Sequence, residues 1–400
     1  MSVIAKKLMH LHVLNNLLPA WKLLLLISAI MISRLFAILI FEDVNIFNDS
    51  AIRIKLGGEP AFLDYQIYKK SVSTAWSEIT RPLEFFNLLL DDWRGAYAWL
   101  KVQKIKPGPI YPMLIGLTGY EESRCLLSWA YQIAGALLGW HWSKFLRDRG
   151  EPLWLQILCA CFPALVYYSF LVSTDLLYAC LIALWLVGAR AMLENKTGAW
   201  NAAGIAMFLL LLARPNALAL LPMMSFLAWR VKSFKSWIMW SLFWGLVGVY
   251  MLIYYLPYYW VHESNAGATH YWGFYPSEYY KGLWTVLPDW ISQPMSWSLF
   301  AISKLMHAVG LRPSYSSVDA WLVVSRALPG LLFMPGLIYL FFAAEKFERW
   351  FVFFFMLPIF IGASQERYLL AITPILLLWG VRAWSRAVRW GYRQFGFEKN

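Results

Sequence analysis

The side chains best suited to chemistry lie in the polar stretch that follows the first long apolar run. Asp64 is followed four residues later by Tyr68, and a carboxylate in such a loop can accept the proton of a hydroxyl group as a general base. The stretch returns to apolar sequence through Lys106-Pro107-Gly108-Pro109-Ile110-Tyr111-Pro112, which proline and glycine make rigid. We therefore expect chemistry in this loop, at a membrane surface.

Two further ionisable residues lie beside long apolar runs. Asp175 belongs to Ser173-Thr174-Asp175-Leu176, where it either caps a helix by accepting from free backbone N–H groups or faces a site as a second carboxylate. Arg214 stands in the turn Arg214-Pro215-Asn216, where it either extends toward lipid head groups or neutralises a phosphate. The sequence leaves both pairs of alternatives open.

A polar turn, Gln365-Glu366-Arg367-Tyr368, separates the last two apolar runs. Glu366 and Arg367 are either an ion pair at the membrane interface or a site in which Arg367 holds a lipid phosphate by paired hydrogen bonds. Tyr368 suits the belt of aromatic residues that lines such interfaces. Both interpretations place the turn at the membrane surface.

The composition is that of an integral membrane protein. Of the 400 residues, 60% are hydrophobic and 14% are charged, and the mean hydropathy is +0.51, which excludes a soluble globular domain. The net charge of +12 comes from short Lys/Arg clusters between apolar runs, so nucleic acid is not expected as a partner. The sequence supports no cofactor, since metal-ligand spacings and a Gly-rich phosphate loop are missing; a divalent metal stays an unsupported alternative.

The apolar runs predict about ten membrane-spanning helices in a single all-α domain over residues 1–400. They cover 22–41, 124–143, 152–172, 175–193, 199–213, 215–230, 237–257, 321–344, 350–364 and 368–384. Lys and Arg in the short connections fall on one side, so both termini are predicted to be cytoplasmic. The long connections, 42–123 and 258–320, then face outward, and we expect them to carry surface-lying helices at 65–79, 83–101 and 296–309.

Four motifs in this order resemble those of the polytopic GT-C glycosyltransferases, in particular the bacterial relatives of protein O-mannosyltransferases and of the lipid A aminoarabinose transferase. They are a carboxylate with Tyr four residues later, a Pro-Gly-x-x-Tyr-Pro entry to an apolar run, an Asp opening the fourth span and a Glu-Arg-Tyr-Leu-Leu turn. In this chain they are Asp64 with Tyr68, Pro107 to Pro112, Asp175, and Glu366 to Leu370.

The chain departs from this family pattern at the first motif. The family carries its Asp very soon after the first span, often followed by Glu, and none of the early Asp residues here precedes a Glu. Asp64 fits the spacing to Tyr better, whereas Asp49 fits the distance from the span better. Asp64 is the preferred catalytic base, and Asp49 is the alternative.

The resemblance implies a hexosyl- or pentosyltransferase of the bacterial inner membrane with its active site on the periplasmic face. Its donor is a polyprenyl-phosphate-linked sugar, and its acceptor is a glycan, a lipid or a protein. Cations are expected to stabilise the phosphate leaving group, with Arg367 in the main role and Asp175 orienting an Arg or a sugar hydroxyl. The residues expected to bind substrate are Tyr68, Lys106, Tyr111, Asp175, Arg214, Glu366, Arg367 and Tyr368.

Two other classes of protein compete with this interpretation. A lipid-linked glycan flippase or transporter often shows internal repeats and broken helices, and the sequence shows no clear repeat. A polysaccharide polymerase or ligase places its decisive Arg and His residues in a late outer loop, whereas the most specific motifs here are early. Convergence of Asp64, Asp175 and Arg367 would favour the glycosyltransferase.

Overall fold

The structure is a computed structural model of the protein, and it describes residues 20–41, 61–62, 110, 120–172, 174–196, 198–231, 234–265, 287–311, 320–361 and 366–394. These residues are helical almost throughout, as the apolar runs predict. The helices are α1 (Ala20–Phe41), α2 (Tyr120–Arg147), α3 (Leu153–Ala160), α4 (Pro163–Phe170), α5 (Thr174–Leu193), α6 (Ala199–Ala213), α7 (Leu221–Val231), α8 (Phe234–Asn265), α9 (Asp289–Ala308), α10 (Ala320–Ala343), α11 (Lys346–Ile361) and α12 (Thr373–Gln394).

Three of the predicted runs differ from single α-helices. The run 152–172 divides into α3 and α4, because Pro163 has no N–H group to continue the hydrogen-bond ladder and instead begins a new helix. The runs 215–230 and 368–384 each begin as tighter 3₁₀ turns, here called the first 3₁₀ turn (Pro215–Leu220) and the second 3₁₀ turn (Glu366–Ile372). Both turns lie at breaks between α-helices.

Three stretches of the described chain are long and apolar enough to cross a membrane: Thr174–Leu193, Phe234–Tyr255 and Tyr368–Gly391. Large apolar side chains also lie on the outside of the helices, including Leu246, which is 72% exposed, and Phe342, which is 81% exposed. In water such a surface would drive aggregation. These features are compatible with a membrane protein.

Small residues allow close contacts between helices. A Cβ atom at Gly188 of α5 would come within 2.9 Å of the backbone nitrogen of Ala203 in α6. A Cβ atom at Gly336 of α10 would come within 2.6 Å of the backbone nitrogen of Gly380 in α12. Such contacts are typical of helices that associate in lipid, where close packing replaces the hydrophobic drive. They hold α5 on α6 and α10 on α12.

A pair of two-residue strands connects the first polar stretch to the helices. β1 (Ala61–Phe62) pairs with β2 (Leu171–Val172) in the parallel direction. β2 lies between α4 and α5, directly before the segment that contains Asp175. The chain just before Asp64 therefore lies beside the start of α5.

The second long connection contains α9, which corresponds to the predicted surface helix 296–309 but begins earlier, at Asp289. This helix packs against α11 and against the second 3₁₀ turn. The other two predicted surface helices, 65–79 and 83–101, lie outside the described residues.

Candidate functional site

Arg214 lies at a break between two helical segments. It ends α6 and precedes the first 3₁₀ turn, with an extended backbone at φ −152° and ψ 145°. Pro215 explains this conformation, because its ring excludes the helical region for the residue before it. The Arg-Pro pair can be read in the sequence. It ends the helix at Arg214, so the Arg214 side chain is not held on a helix face.

The Arg214 side chain reaches the start of α5. Its Nη2 atom lies 2.6 Å from Oδ1 of Asp175 and donates a hydrogen bond of 2.6 Å to Oγ1 of Thr174. Arg214 is 8% exposed and Asp175 is 4% exposed, so both charges are largely removed from solvent. The amino end of α5 adds its own positive potential beside the carboxylate. The structure thus joins two of the predicted site residues in a buried ion pair.

Two tyrosine rings complete this group. The Arg214 Cζ atom lies 5.8 Å from the ring centre of Tyr178 in α5 and 5.3 Å from that of Tyr368 in the second 3₁₀ turn. Both distances fall within the range in which an aromatic face attracts a guanidinium. We call Arg214, Asp175, Thr174, Tyr178 and Tyr368 the Arg214 cluster. It brings together three predicted site residues from separate parts of the chain.

Lys304 is a buried cation that the sequence interpretation missed. It lies in α9 with 0% of its surface exposed, and its Nζ donates a hydrogen bond of 3.2 Å to the carbonyl oxygen of Phe360. The same atom lies 4.7 Å from the ring centre of Phe300. Burial lowers the pKa of Lys304 to about 8. The i, i+4 spacing of Phe300 and Lys304 was the available signal, since it puts both on one helix face.

A second buried ion cluster lies at the opposite end of α5. Glu348 of α11 forms an ion pair with Arg149, lies 3.7 Å from Nη2 of Arg190, and accepts a hydrogen bond of 3.2 Å from Nε1 of Trp379. We call these four residues the Glu348 cluster. It ties the connection after α2 to α5, α11 and α12. No sequence motif had singled it out.

The remaining predicted site residues cannot be placed in this geometry. Asp49, Asp64, Tyr68, Lys106 and Tyr111 lie outside the described residues. Glu366 and Arg367 open the second 3₁₀ turn, directly before Tyr368, and their backbone is described without their side chains. The turn itself lies against α5, α9 and α12. Arg367 therefore belongs to the same turn that brings Tyr368 to Arg214.

The chemistry of the Arg214 cluster differs from that of a metal site. Among the described residues, no group of three or more His, Cys, Asp or Glu side chains is placed to hold a metal ion. A guanidinium held between a carboxylate and aromatic rings is instead suited to paired hydrogen bonds with a phosphate. No protein-family model matches the chain, and no curated protein or solved structure matches it.

Proposed function

We propose that this chain is a polytopic membrane glycosyltransferase that moves a sugar from a polyprenyl phosphate to a hydroxyl group of a glycan, a lipid or a protein. The observation that carries the proposal is the buried Arg214–Asp175 ion pair. The second 3₁₀ turn contacts α5 and brings Tyr368 to this pair. The strand β2, which pairs with β1, directly precedes α5. These are the parts of the chain that bear the catalytic motifs inferred from the sequence.

The energetics of a buried ion pair support a functional role for Arg214. Removing two charges from water costs several kcal/mol per ion, and well-packed apolar residues are often at least as stabilising. Ionisable side chains at membrane depth are therefore retained chiefly where they recognise or transport something. Asp175 holds the Arg214 guanidinium in place before substrate arrives, which lowers the ordering cost of binding.

The proposed topology has about ten crossings and cytoplasmic termini. In this topology α5 runs from an extracytoplasmic start at Asp175 to a cytoplasmic end at Arg190. The basic residues near that second end, such as Arg149 and Lys196, support this direction, because short cytoplasmic connections are rich in Lys and Arg. The Arg214 cluster then faces the periplasm in the bacterial inner membrane.

In the proposed sugar transfer, a general base and a group of cations have different roles. Asp64, or Asp49 as the alternative, takes the proton of the acceptor hydroxyl. The acceptor oxygen forms a bond to the anomeric carbon of the sugar while the bond from that carbon to the phosphate oxygen breaks. The electron pair of the broken bond leaves with the polyprenyl phosphate, whose added charge Arg367 and Arg214 stabilise, with Lys106 assisting. Of the other predicted residues, Tyr68, Tyr111 and Glu366 contact the sugar or the acceptor.

The test uses membranes that contain the full chain and a panel of radiolabelled polyprenyl-phosphate hexoses and pentoses. We expect one donor to be consumed, and we expect Arg214→Lys to reduce its consumption at least tenfold, because lysine keeps the charge but loses the paired donors. Arg230→Lys is the matched control, since Arg230 is an exposed arginine at the end of α7. The amount of folded protein is followed by size-exclusion chromatography in detergent.

Two results would contradict the proposal. The first is wild-type consumption by Arg214→Lys. The second is a panel in which no sugar leaves its lipid phosphate while intact lipid-linked sugars cross the membrane, which would indicate a flippase.

A further inference from the structure

A cavity of about 270 Å³ lies between α2, α5 and α12, away from the Arg214 cluster. Charged side chains line one part of it, and apolar side chains line the other. The charged part includes Lys144, Asp148, Arg190, Glu194 and Lys196, with His141 beside them. The apolar part includes Ala183, Leu186, Val187, Ala371, Pro374 and Ile375.

The two parts of the cavity lie at different depths along α5. Arg190 and Ala183 both line it, and at about 1.5 Å per residue they are about 10 Å apart along the helix axis. Ile375 of α12, which is buried, also lines the cavity. The cavity is therefore amphipathic, with a charged mouth at the Arg190 end of α5 and an apolar interior toward the middle of that helix.

After the ion pairs around the mouth of the cavity are counted, positive charge remains there. Its two acidic residues are each close to a cation: Asp148 lies 3.7 Å from Arg147, and Glu194 lies 2.5 Å from Lys196. Lys144 is exposed and forms no ion pair with the described residues.

Arg190 adds to this positive charge because it is the more distant and more exposed of the two arginines beside Glu348. Its Nη2 atom is 3.7 Å from Glu348 Oε1, and its side chain is 41% exposed. Arg149 and Trp379 make the closer contacts to that carboxylate. Lys144 is thus the cation without an ion pair at the mouth, and the partly exposed Arg190, which Glu348 shares with Arg149, lies beside it.

We propose that this cavity binds one anionic phospholipid of the cytoplasmic leaflet, with its phosphodiester at Lys144 and Arg190 and the start of an acyl chain beside Ala183. The proposal rests on the topology given under the proposed function. Basic pockets between membrane helices on the cytoplasmic side suit phospholipid head groups, because that leaflet is rich in anionic lipid. The apolar interior selects a phosphate that carries a hydrocarbon chain over inorganic phosphate.

The test measures lipid binding directly and needs no sugar transfer, so its outcome is independent of the catalytic proposal. The purified full chain in detergent is titrated with dioleoyl phosphatidylglycerol, and bound lipid is counted by native mass spectrometry. Phosphatidylcholine and inorganic phosphate are the comparison ligands. We expect the first phosphatidylglycerol to bind at least tenfold more tightly than phosphatidylcholine, and millimolar inorganic phosphate to leave it bound.

Matched variants locate the site. Lys144→Gln should weaken binding about fivefold, the usual contribution of one basic residue near anionic lipid, whereas Lys346→Gln, at an exposed lysine outside the cavity, should not. Ala183→Phe should reduce binding by filling the apolar interior, whereas Leu184→Phe, on the exposed face of α5, should not.

Three outcomes would overturn the lipid assignment. Equal binding of phosphatidylglycerol and phosphatidylcholine would remove the anion selectivity. Displacement of phosphatidylglycerol by inorganic phosphate would indicate a soluble phosphate ligand instead. Wild-type lipid binding by both Lys144→Gln and Ala183→Phe would place the lipid elsewhere.

Discussion

The two ends of α5 each carry a buried carboxylate, and their surroundings differ. At one end, Asp175 meets a single cation among the described residues, Arg214, at 2.6 Å. At the other end, Glu348 contacts Arg149 and Trp379 and lies near Arg190. The first carboxylate therefore orients one cation, whereas the second is surrounded by donors from several elements.

This difference accords with the recognition role proposed for Arg214 and with a structural role for Glu348. A buried carboxylate needs donors to offset its lost hydration, and Glu348 receives them from the protein itself. A neighbouring pair has the same character: Arg382 of α12 contacts Glu151 through Nε at 2.9 Å and Nη2 at 2.7 Å. At the other end of α5, Asp175 receives its charge compensation from a single arginine of the described residues, Arg214. We therefore expect mutations at the two ends to affect different properties.

The largest effect is expected at the proposed base. Asp64→Asn should abolish sugar transfer while the protein still folds, because an amide cannot accept the proton of the acceptor hydroxyl. Transfer from the polyprenyl-phosphate donor identified in the panel is measured in membranes. Activity in Asp64→Asn combined with its loss in Asp49→Asn would move the role to Asp49. Full activity in both variants would exclude a general base in this loop.

The next largest effect concerns stability at the Glu348 cluster. Glu348→Ala should lower the free energy of unfolding by about 3 kcal/mol, the lower end of the range for a broken buried pair, because Glu348 is buried but Arg149 is only partly so. The measurement is reversible unfolding in mixed detergent, followed by far-UV circular dichroism. Glu345→Ala is the comparison, since Glu345 is exposed just before α11 and acts on Arg149 only through its charge, without a hydrogen bond. Equal stability of the two variants would contradict the structural role of Glu348.

A smaller effect on catalysis is expected at Arg367. Arg367→Ala should slow transfer on the order of 10²-fold, as when one stabilising donor is lost from a transition-state site. Arg367→Lys should be milder but measurable, because it keeps the charge and loses the paired donors. Steady-state rates of sugar transfer from the same donor are measured for both variants. Wild-type rates in both variants would limit Arg367 to anchoring the hairpin at lipid head groups.

The last effect is a pH dependence of stability from Lys304. Its pKa of about 8 in the folded protein is below the ordinary lysine value of 10.5, so the unfolded chain binds more protons between these two values. The free energy of unfolding should therefore rise with pH from about 8 to 10.5 and lose this contribution as pH falls toward 8. Unfolding of the wild type and of Lys304→Met is compared across this range. An unchanged slope in Lys304→Met would assign the pH dependence to other groups.

The sequence alone determined the helical character of the described residues and the break at Arg214. The run 199–213 is α6, and the run 175–193 differs from α5 only at its first residue. Apolar composition and length are local properties, and so is the effect of proline on its neighbours, which predicted the turn at Arg214. The candidate roles of Asp175 and Arg214 were also readable, because charge beside long apolar runs is rare enough to require an explanation.

The tertiary structure decided which of these residues meet. Thr174 and Arg214 are 40 positions apart in the chain, and Arg149 and Glu348 are 199 apart. Such partners depend on which helices pack together. Gly188, for example, allows α5 to pack closely on α6, and a local pattern of apolar residues does not encode that choice. Lys304 shows the same limit: its spacing from Phe300 puts both on one helix face, but only the packing of α9 against α11 and the second 3₁₀ turn buries it. The free energy of a charged side chain depends on the neighbours that replace its water, and these neighbours come from distant parts of the chain.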